Sequence, residues 1–316
     1  IDEIKDEVFK IKKIKKIPRH CTKLFNRFNL LVNSIYLYQW KPNIIHKTYF
    51  NDFEYKNLNA KKVINVWDLS HEIYHKMYNK TKNWRPKINS FKYVDHIICS
   101  SQKTQRDLQK FYNVDLKKSS VVYQGVSQLN QNNFKIKKNK EHFLLFVGSR
   151  KKYKNFDNLL KAFALNKKLL DDFKLVCFGY EKISKEEVDL IDNLNLNKKN
   201  ILFVDGNDDK LSEYYLNATA LLYPSKNEGF GFPPLEAMSY GCPVITSNNE
   251  AILEATGLKN YSFNPDSPAE ISSKIEKIIY SKNEIEYLMN YGLKRVTQFE
   301  WKNTTEELLK IYEKII

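Results

Sequence analysis

The sequence feature that most constrains the fold is a series of short, unbroken apolar runs separated by polar stretches of helical length. The runs are candidate β-strands at 43–46, 63–66, 96–99, 121–123, 143–147, 174–178, 201–204, 221–223 and 244–246. Several of them are continuous in Val, Ile, Leu and Phe, which is typical of parallel strands buried on both faces. Their alternation with helical stretches predicts an α/β chain with doubly wound parallel sheets.

Length and composition divide the chain into two domains. With 316 residues, of which 42% are hydrophobic, it is long enough for two ordinary domains with buried cores. The stretch 127–140 is rich in Gln, Asn and Lys and is interpreted as a linker. We therefore expect a first domain over 1–130, a second over 141–300 and a separate C-terminal helix over 301–316.

Glycine is distributed unevenly along the chain. All nine glycines lie at or after Gly125. A glycine loop that cradles phosphate groups is therefore excluded from the part of the chain before Gly125. If the chain binds a nucleotide, the second domain must hold it.

The segment Pro224–Met238 follows a candidate strand and combines glycines, prolines and two glutamates. Pro233 and Pro234 suit the first turn of a helix. Gly229 and Gly231 come just before that turn, where they let the backbone approach a ligand closely. The helix N-terminus would then offer N–H groups and positive potential to a diphosphate.

Two carboxylates flank this loop. Glu228 precedes the glycines, and Glu236 is predicted to fall in the first turn of the helix. Both are suited to accept hydrogen bonds from the hydroxyl groups of a sugar and a ribose. The alternative is that Glu236 only caps its helix and that Glu228 is an ordinary surface residue.

A second candidate anion site begins at Gly148, where a strand of the second domain ends. Arg150 and Lys154 follow before the next helical stretch. These two cations are placed to neutralise a diphosphate without a metal ion. Lys151 and Lys152 are interpreted as ordinary loop lysines of a lysine-rich chain.

Together these residues resemble the signature of the retaining family 4 glycosyltransferases of GT-B fold. Glu228 and Glu236 have seven residues between them, which include Gly-Phe-Gly-Phe-Pro-Pro. The match extends from about Phe143 to the C-terminus and includes the loop 148–155 and the segment 240–245. The fold implied is GT-B, with two Rossmann-like domains whose parallel sheets face a cleft.

The resemblance also implies a nucleoside diphosphate sugar donor held by the second domain. It assigns the sugar hydroxyls to Glu228, the ribose to Glu236, and the diphosphate to Arg150 and Lys154. The loop 205–207 resembles the stretch that passes the base, and the helix 301–316 resembles the segment that crosses back to the first domain. The donor-binding residues expected are Gly148, Arg150, Lys154, Gly206, Asn207, Gly229, Phe230, Gly231, Phe232, Leu235 and Glu236.

The first domain matches the family less closely. Residues 63–72 resemble a strand-end motif that faces the donor sugar and that carries His-Asp in many relatives. This chain has Trp67 and Asp68 there, with a histidine only at His71. The expected catalytic residues are therefore Glu228, Asp68 and His71. The family's opening strand and first glycine loop are absent from the sequence, which affects the acceptor side.

The net charge of +15 indicates an anionic partner. Only six of the 52 basic residues are arginine, which argues against nucleic acid. Residues 1–17 place apolar side chains at helical spacing between lysines, so they form either a surface helix packed on its own domain or a helix on an anionic membrane. We expect a cytoplasmic protein, peripheral at the inner face of the membrane.

The function implied is retaining, metal-independent transfer of a hexose to a glycan or lipid-linked saccharide in polysaccharide assembly. Mannose and a GDP-mannose-type donor are favoured, and no cofactor or metal is expected. Two alternatives stay open, because a fold does not fix an activity. A sugar-nucleotide epimerase would convert the donor without an acceptor, and an inactive partner protein would keep the fold without turnover.

Overall fold

The computed structural model describes residues 22–50, 58–74, 84–127, 142–150 and 152–316. The amphipathic segment predicted over 1–17 and nearly all of the predicted linker lie outside the described residues. The described strands form one four-stranded sheet and one six-stranded sheet, and every strand pairing is parallel. The predicted α/β class with two parallel sheets is therefore confirmed.

The first sheet and its helices occupy the N-terminal part of the chain. Its elements are α1 (Thr22–Trp40), β1 (Ile44–Lys47), β2 (Lys61–Val66), α2 (Ser70–Ile73), α3 (Trp84–Lys92), β3 (His96–Cys99), α4 (Gln102–Tyr112) and β4 (Ser119–Val121). The strand order is β1-β2-β3-β4, so the described strands lie side by side in the order of the sequence.

The second sheet forms the larger domain. Its elements are β5 (Phe143–Val147), α5 (Phe156–Ala164), α6 (Lys167–Asp172), β6 (Lys174–Phe178), α7 (Lys185–Asn193), β7 (Ile201–Val204), α8 (Asp208–Asn217), β8 (Ala220–Tyr223), α9 (Phe232–Ser239), β9 (Val244–Ser247), α10 (Glu250–Thr256), β10 (Ser262–Phe263), α11 (Pro268–Ile279), α12 (Lys282–Val296) and α13 (Trp301–Ile315). The strand order is β10-β9-β8-β5-β6-β7, which is the doubly wound order with its reversal between β5 and β8.

Each predicted strand is present, with ends that differ from the prediction by at most two residues. The central strands β5 and β8 are buried along their whole length, as their unbroken apolar composition predicts. The strand β10 was missed because it has only two residues, Ser262 and Phe263, and a run that short carries no periodicity.

The C-terminal helix α13 packs on the sheet of the first domain. Val63 and Ile98, from β2 and β3, form a small buried cluster with Val122, and Leu308 and Ile311 of α13 pack against it. The opposite face of the same sheet carries a separate cluster around Ile64 that includes Leu108 of α4, among others. The first sheet is therefore covered on one face by a helix from the far end of the chain.

Candidate active site in the cleft between the two domains

The main cavity lies at the reversal of strand order in the second sheet. In doubly wound sheets, ligands bind outside the carboxyl ends of the strands at this point. A cavity of about 390 Å³ is found here, and both domains line it. Its lining residues are Trp67, Asp68, Ser100, Gln124, Val147, Gly148, Lys154, Tyr223, Glu228, Gly229, Phe230, Gly231, Phe232 and Pro233.

An ion pair crosses from one strand-end loop to the other inside this cavity. Lys154 Nζ lies 2.7 Å from Glu228 Oε1, and the Tyr223 hydroxyl donates to the same oxygen at 2.8 Å. Both charged side chains are largely buried, with exposed fractions of 19% and 12%. The cavity therefore presents a cation and a carboxylate side by side, fixed by a tyrosine at the end of β8.

The N-terminus of α9 faces the same cavity. Gly231 precedes the helix with φ of 107°, a left-handed conformation that a side chain would disfavour. No side chain caps the helix, and Pro233 and Pro234 lack N–H groups. The backbone N–H groups of Gly231 and Phe232 are thus the ones left at the positive end of the helix, where an anion would bind.

Side chains from distant parts of the second domain hold the loop between β8 and α9. Asn155 Nδ2 donates to Pro224 O at 3.1 Å, and the Ser247 hydroxyl donates to Ser225 O at 2.5 Å. These partners are 69 and 22 residues away along the chain. Sequence reasoning missed them because nothing in the local pattern pairs an amide or a hydroxyl with a remote carbonyl. The protein's own hydrogen bonds therefore hold the loop in place.

Glu236 faces a neighbouring cavity of about 250 Å³, which is also lined by Phe232 and Trp301. It is the fifth residue of α9, so the prediction that it falls in the first turn was wrong by about one residue. The Tyr215 hydroxyl donates to Glu236 Oε2 at 3.0 Å. Burial raises the pKa of the Glu236 carboxyl, the hydrogen bond from Tyr215 lowers it, and the charge of Asp208 raises it further.

A third cavity, of about 330 Å³, is lined by Gly148 and Gly206 among others. Gly206 O accepts a hydrogen bond from the Tyr180 hydroxyl at 2.7 Å. Asn207 instead caps α8, because its Oδ1 accepts from Lys210 N at 3.1 Å. The three cavities are neighbours, because each pair shares at least one lining residue, and together they make up a groove at the carboxyl end of the second sheet.

Arg150 does not line this groove, in contrast to the prediction that it contacts a diphosphate. Its Nε donates to Glu187 Oε1 at 2.8 Å, one Nη donates to Glu181 O at 2.8 Å, and its guanidinium lies over the Phe203 ring. The side chain is only 1% exposed. Because the Arg150 side chain is almost completely buried and lines none of these three cavities, whereas Lys154 is 19% exposed and lines the main cavity, we assign Arg150 a structural role.

The two catalytic candidates of the first domain are placed differently. Asp68 and the preceding Trp67 line the main cavity, and Asp68 Oδ1 accepts from Ser70 N at 2.8 Å. His71 lies on the short helix α2 and is not among the lining residues of the described cavities. The structure therefore places Asp68 in the same cavity as Glu228, and the role of His71 stays a prediction.

The remaining donor-binding candidates divide between cavity and core. Phe230 and Phe232 line the main cavity, and Phe230 stacks on Tyr123 of the first domain with ring centroids 5.7 Å apart. Leu235 is fully buried in the core of the second domain. Its side chain therefore supports α9 and does not face the cavity.

Comparison with known families settles the relationship of this chain. Residues 128–295 match the family model of the glycosyl transferases group 1, and residues 3–128 match that of Glycosyltransferase Family 4. The chain belongs to the glycosyl transferases group 1. The matched range contains Lys154, Glu228 and Glu236, so these three groove residues lie within the family domain.

Two sequence relatives and one solved structure illustrate the similarity of this chain to known proteins. The O-antigen chain mannosyltransferase RfbU of Salmonella typhimurium is 32% identical over 68% of this chain, and the serotype-specific mannosyltransferase WbdA of Escherichia coli is 24% identical over 73%. The aligned regions are 58% and 30% of those proteins' own lengths. Sucrose-phosphate synthase from Thermosynechococcus elongatus superposes with a TM-score of 0.74 and 19% identity, over 97% of this chain and 82% of that one. The GT-B fold is therefore confirmed.

Proposed function

We propose that this group 1 glycosyltransferase moves a hexose from a nucleoside diphosphate sugar to a saccharide acceptor with retention of configuration. The observation that carries the proposal is the convergence of Lys154, Glu228 and the N-terminus of α9 on one cavity at the sheet reversal. In this assignment the diphosphate lies between Lys154 and α9, the sugar contacts Glu228, and the ribose contacts Glu236.

The chemistry follows from where charge develops. The bond between the anomeric carbon and the phosphate oxygen breaks, and its electron pair goes to the leaving phosphate. Lys154 Nζ and the N–H groups of Gly231 and Phe232 stabilise that negative charge. The acceptor hydroxyl attacks the same face of the sugar and passes its proton to the leaving phosphate. Because protein groups supply the positive charge, the proposed reaction does not depend on a metal ion.

The ion pair between Lys154 and Glu228 has a defined role in this scheme. In the structure, the Lys154 ammonium lies against Glu228 Oε1. When the diphosphate binds, it provides a second anion for the same ammonium, and Glu228 is released to accept hydrogen bonds from the sugar hydroxyls. Glu228 thus positions and electrostatically stabilises the sugar.

Mannose is the proposed sugar, and GDP-mannose the proposed type of donor. The relatives RfbU and WbdA are named as mannosyltransferases, and the first of them as one that acts on the O-antigen chain. By analogy the acceptor is a glycan or a lipid-linked saccharide, and the protein works in the cytoplasm with a peripheral contact to an anionic membrane. Among the described helices, none is long and apolar enough to cross a membrane.

Thermal unfolding with a panel of nucleoside diphosphates and their sugars, with and without Mg²⁺, tests the donor site. A ligand at about 100 times its dissociation constant adds about 2.7 kcal/mol of stability. We expect one base to give a metal-independent shift that Lys154→Ala and Glu236→Ala abolish. Lys198→Ala, which removes an exposed lysine paired with Asp192, is the matched control and should keep the shift.

Product analysis then separates transfer from the alternatives. The donor that stabilises the protein is incubated with and without a saccharide acceptor, and the products are identified by mass spectrometry and NMR. A new glycosidic bond of unchanged anomeric configuration is the expected result. Conversion of the donor sugar without acceptor would instead indicate an epimerase, and donor binding without any product would indicate an inactive partner protein.

A further inference from the structure

Two hydroxyl groups of the first domain reach across the cleft to the donor loop. Ser100 follows β3 and Thr104 lies in the first turn of α4, and both are buried, with 3% and 1% of their surface exposed. Ser100 Oγ lies 3.0 Å and Thr104 Oγ1 lies 3.2 Å from Gly229 O. Gly229 directly follows Glu228, so the carbonyl that they contact belongs to the peptide next to the sugar-binding carboxylate.

Each hydroxyl has one proton to donate, which limits the hydrogen bonds that these groups can make. Ser100 Oγ also lies 2.6 Å from Trp67 O. Ser101 Oγ donates to Thr104 Oγ1 at 3.1 Å, which leaves the Thr104 proton for Gly229 O. Ser100 then shares its proton between Trp67 O and Gly229 O, and Thr104 donates to Gly229 O, so both hydroxyls contact the donor loop. Loss of both hydroxyls would leave the carbonyls of Trp67 and Gly229 without these donors.

The backbones of the two domains touch at the same place. A Cβ atom added to Gly229 would lie 1.8 Å from Trp67 O, so only glycine permits this approach. Asn227 Nδ2, on the other side of Glu228, donates to the Ser70 hydroxyl at 3.0 Å. Glu228 therefore lies between two contacts with the first domain, and neither is available when the domains separate.

We propose that Ser100 and Thr104 are positioning residues that hold the cleft closed and thereby orient Glu228 toward the donor sugar. This role rests on the proposed transfer function and deepens it. The second domain alone carries the elements that bind the nucleoside diphosphate, namely Lys154, Glu236 and α9. Closure through Thr104 and Gly229 then fixes the carboxylate at the reacting end.

The proposed role predicts different effects on nucleoside diphosphate affinity and on the turnover number. Removal of the two hydroxyls should leave the affinity for the nucleoside diphosphate within twofold, because no group that binds it is touched. The turnover number kcat should fall about 10-fold to 100-fold in the double variant Ser100→Ala/Thr104→Val, since small misplacement of a reacting group has effects of that size. The single variant Thr104→Ser keeps a hydroxyl at this position, so its kcat should stay within threefold of the parental value.

A control variant separates this effect from general weakening of the interface. Arg106 pairs with Glu250 across the same boundary at 2.6 Å, but both side chains are more than half exposed. Arg106→Ala should therefore leave kcat within twofold. Parental kcat in the double variant, or a loss of nucleoside diphosphate affinity as large as the loss of kcat, would overturn the positioning role.

Small-angle X-ray scattering tests the same proposal without turnover. The double variant should show a larger radius of gyration than the parent, whereas Thr104→Ser and Arg106→Ala should match the parent. An unchanged radius in the double variant would disprove the closing role, whatever the activity. If the parent turns over no nucleotide sugar but the radius changes as expected, the transfer function fails while the closing role stands.

Discussion

The second domain is held together by its own residues, whereas the first domain relies in part on a helix from the far end of the chain. The second domain has a six-stranded sheet and one large core, and the loops that hold the candidate donor site are tied together within it. The first has four described strands and two smaller clusters, one of which is completed by α13 from the end of the chain. The second domain is therefore organised to bind a ligand alone, whereas the first depends on the second.

Because of this difference, we expect the second domain to determine ligand binding and the first domain to affect turnover. The proposed diphosphate, ribose and sugar contacts, Lys154, Glu236 and Glu228, all belong to the second domain. The first domain contributes one wall of the main cavity, through Trp67, Asp68 and Ser100. Damage to the second domain should abolish binding, and damage to the first should affect closure and turnover while a nucleoside diphosphate still binds.

The largest effect is expected from Arg150→Met, which tests whether the second domain is held together by its buried ion pair. Removal of one partner leaves the Glu187 carboxylate buried without its cation, which typically costs 3–5 kcal/mol. Because Glu187 Oε2 keeps the hydrogen bond from Ser184 N, we expect a loss near the lower end, about 3 kcal/mol, in urea unfolding. Arg106→Met, at an exposed ion pair, should change stability by less than about 0.5 kcal/mol.

A parental unfolding curve for Arg150→Met, together with lost nucleotide binding, would contradict the structural assignment. Arg150 would then be assigned to the diphosphate site, as the sequence predicted. The pair of measurements therefore distinguishes the two roles directly.

Lys154→Ala should have the next largest effect, and on the transfer reaction more than on folding. Loss of a charge-stabilising donor in a closed site commonly reduces the rate about 100-fold or more, and because Lys154 is also proposed to bind the donor, the loss should appear in kcat/KM. Lys154 is 19% exposed, against 1% for Arg150, and Glu228 keeps its hydrogen bond from Tyr223, so the loss of stability should be smaller than for Arg150→Met. Steady-state kinetics and thermal unfolding of the same preparation check both parts, and transfer at the parental rate would remove Lys154 from the mechanism.

Arg150 and Lys154 also show what the sequence could predict. Both are cations after the same strand, and local pattern gave them the same role. Lys154 meets Glu228, which the motif had already marked, whereas Arg150 meets Glu187, which lies 37 residues away on α7 and in no motif. Strands, the helix start at the prolines and the glycine loop are local and were predicted correctly. Partners such as Ser100, Thr104 and Asn155 were missed because only the fold brings them to the loop.

A smaller effect is expected from Leu308→Ala, which tests whether the first domain needs α13. Leu308 packs against the cluster of Val63, Ile98 and Val122 and is partly buried. The variant should lower the free energy of unfolding by about 1–2 kcal/mol, less than for a fully buried leucine. The neighbouring Leu309 is 51% exposed, so Leu309→Ala should change it by less than about 0.5 kcal/mol.

The affinity of Leu308→Ala for the nucleoside diphosphate provides a second measurement on the same variant. Because the proposed nucleoside diphosphate contacts, Lys154 and Glu236, belong to the second domain, the nucleoside diphosphate should bind Leu308→Ala with parental affinity. Equal stability losses for the two leucines, or a loss of nucleotide affinity in Leu308→Ala, would contradict the division of labour between the domains.

The smallest effect is a pH dependence at the contact between the first sheet and α13. His46 Nε2 donates to Asn65 Oδ1 at 2.8 Å, and Nδ1 accepts from the Tyr312 hydroxyl. Burial lowers the pKa of His46, and the hydrogen bond with Asn65 opposes this only in part. Below the ordinary pKa near 6.5, the unfolded chain takes up a proton that the folded chain resists. Stability should therefore be complete above that pH and decrease as the pH falls toward the lowered value.

His46→Gln should make the melting temperature less sensitive to pH between about 7.5 and 5, since it removes one group that gains a proton on unfolding. The remaining sensitivity comes partly from His96 in β3, whose pKa burial lowers in the same direction. His142→Gln, at an exposed position before β5, is the control and should leave the parental slope. If both variants keep that slope, protonation of His46 does not weaken the packing of α13 on the first sheet.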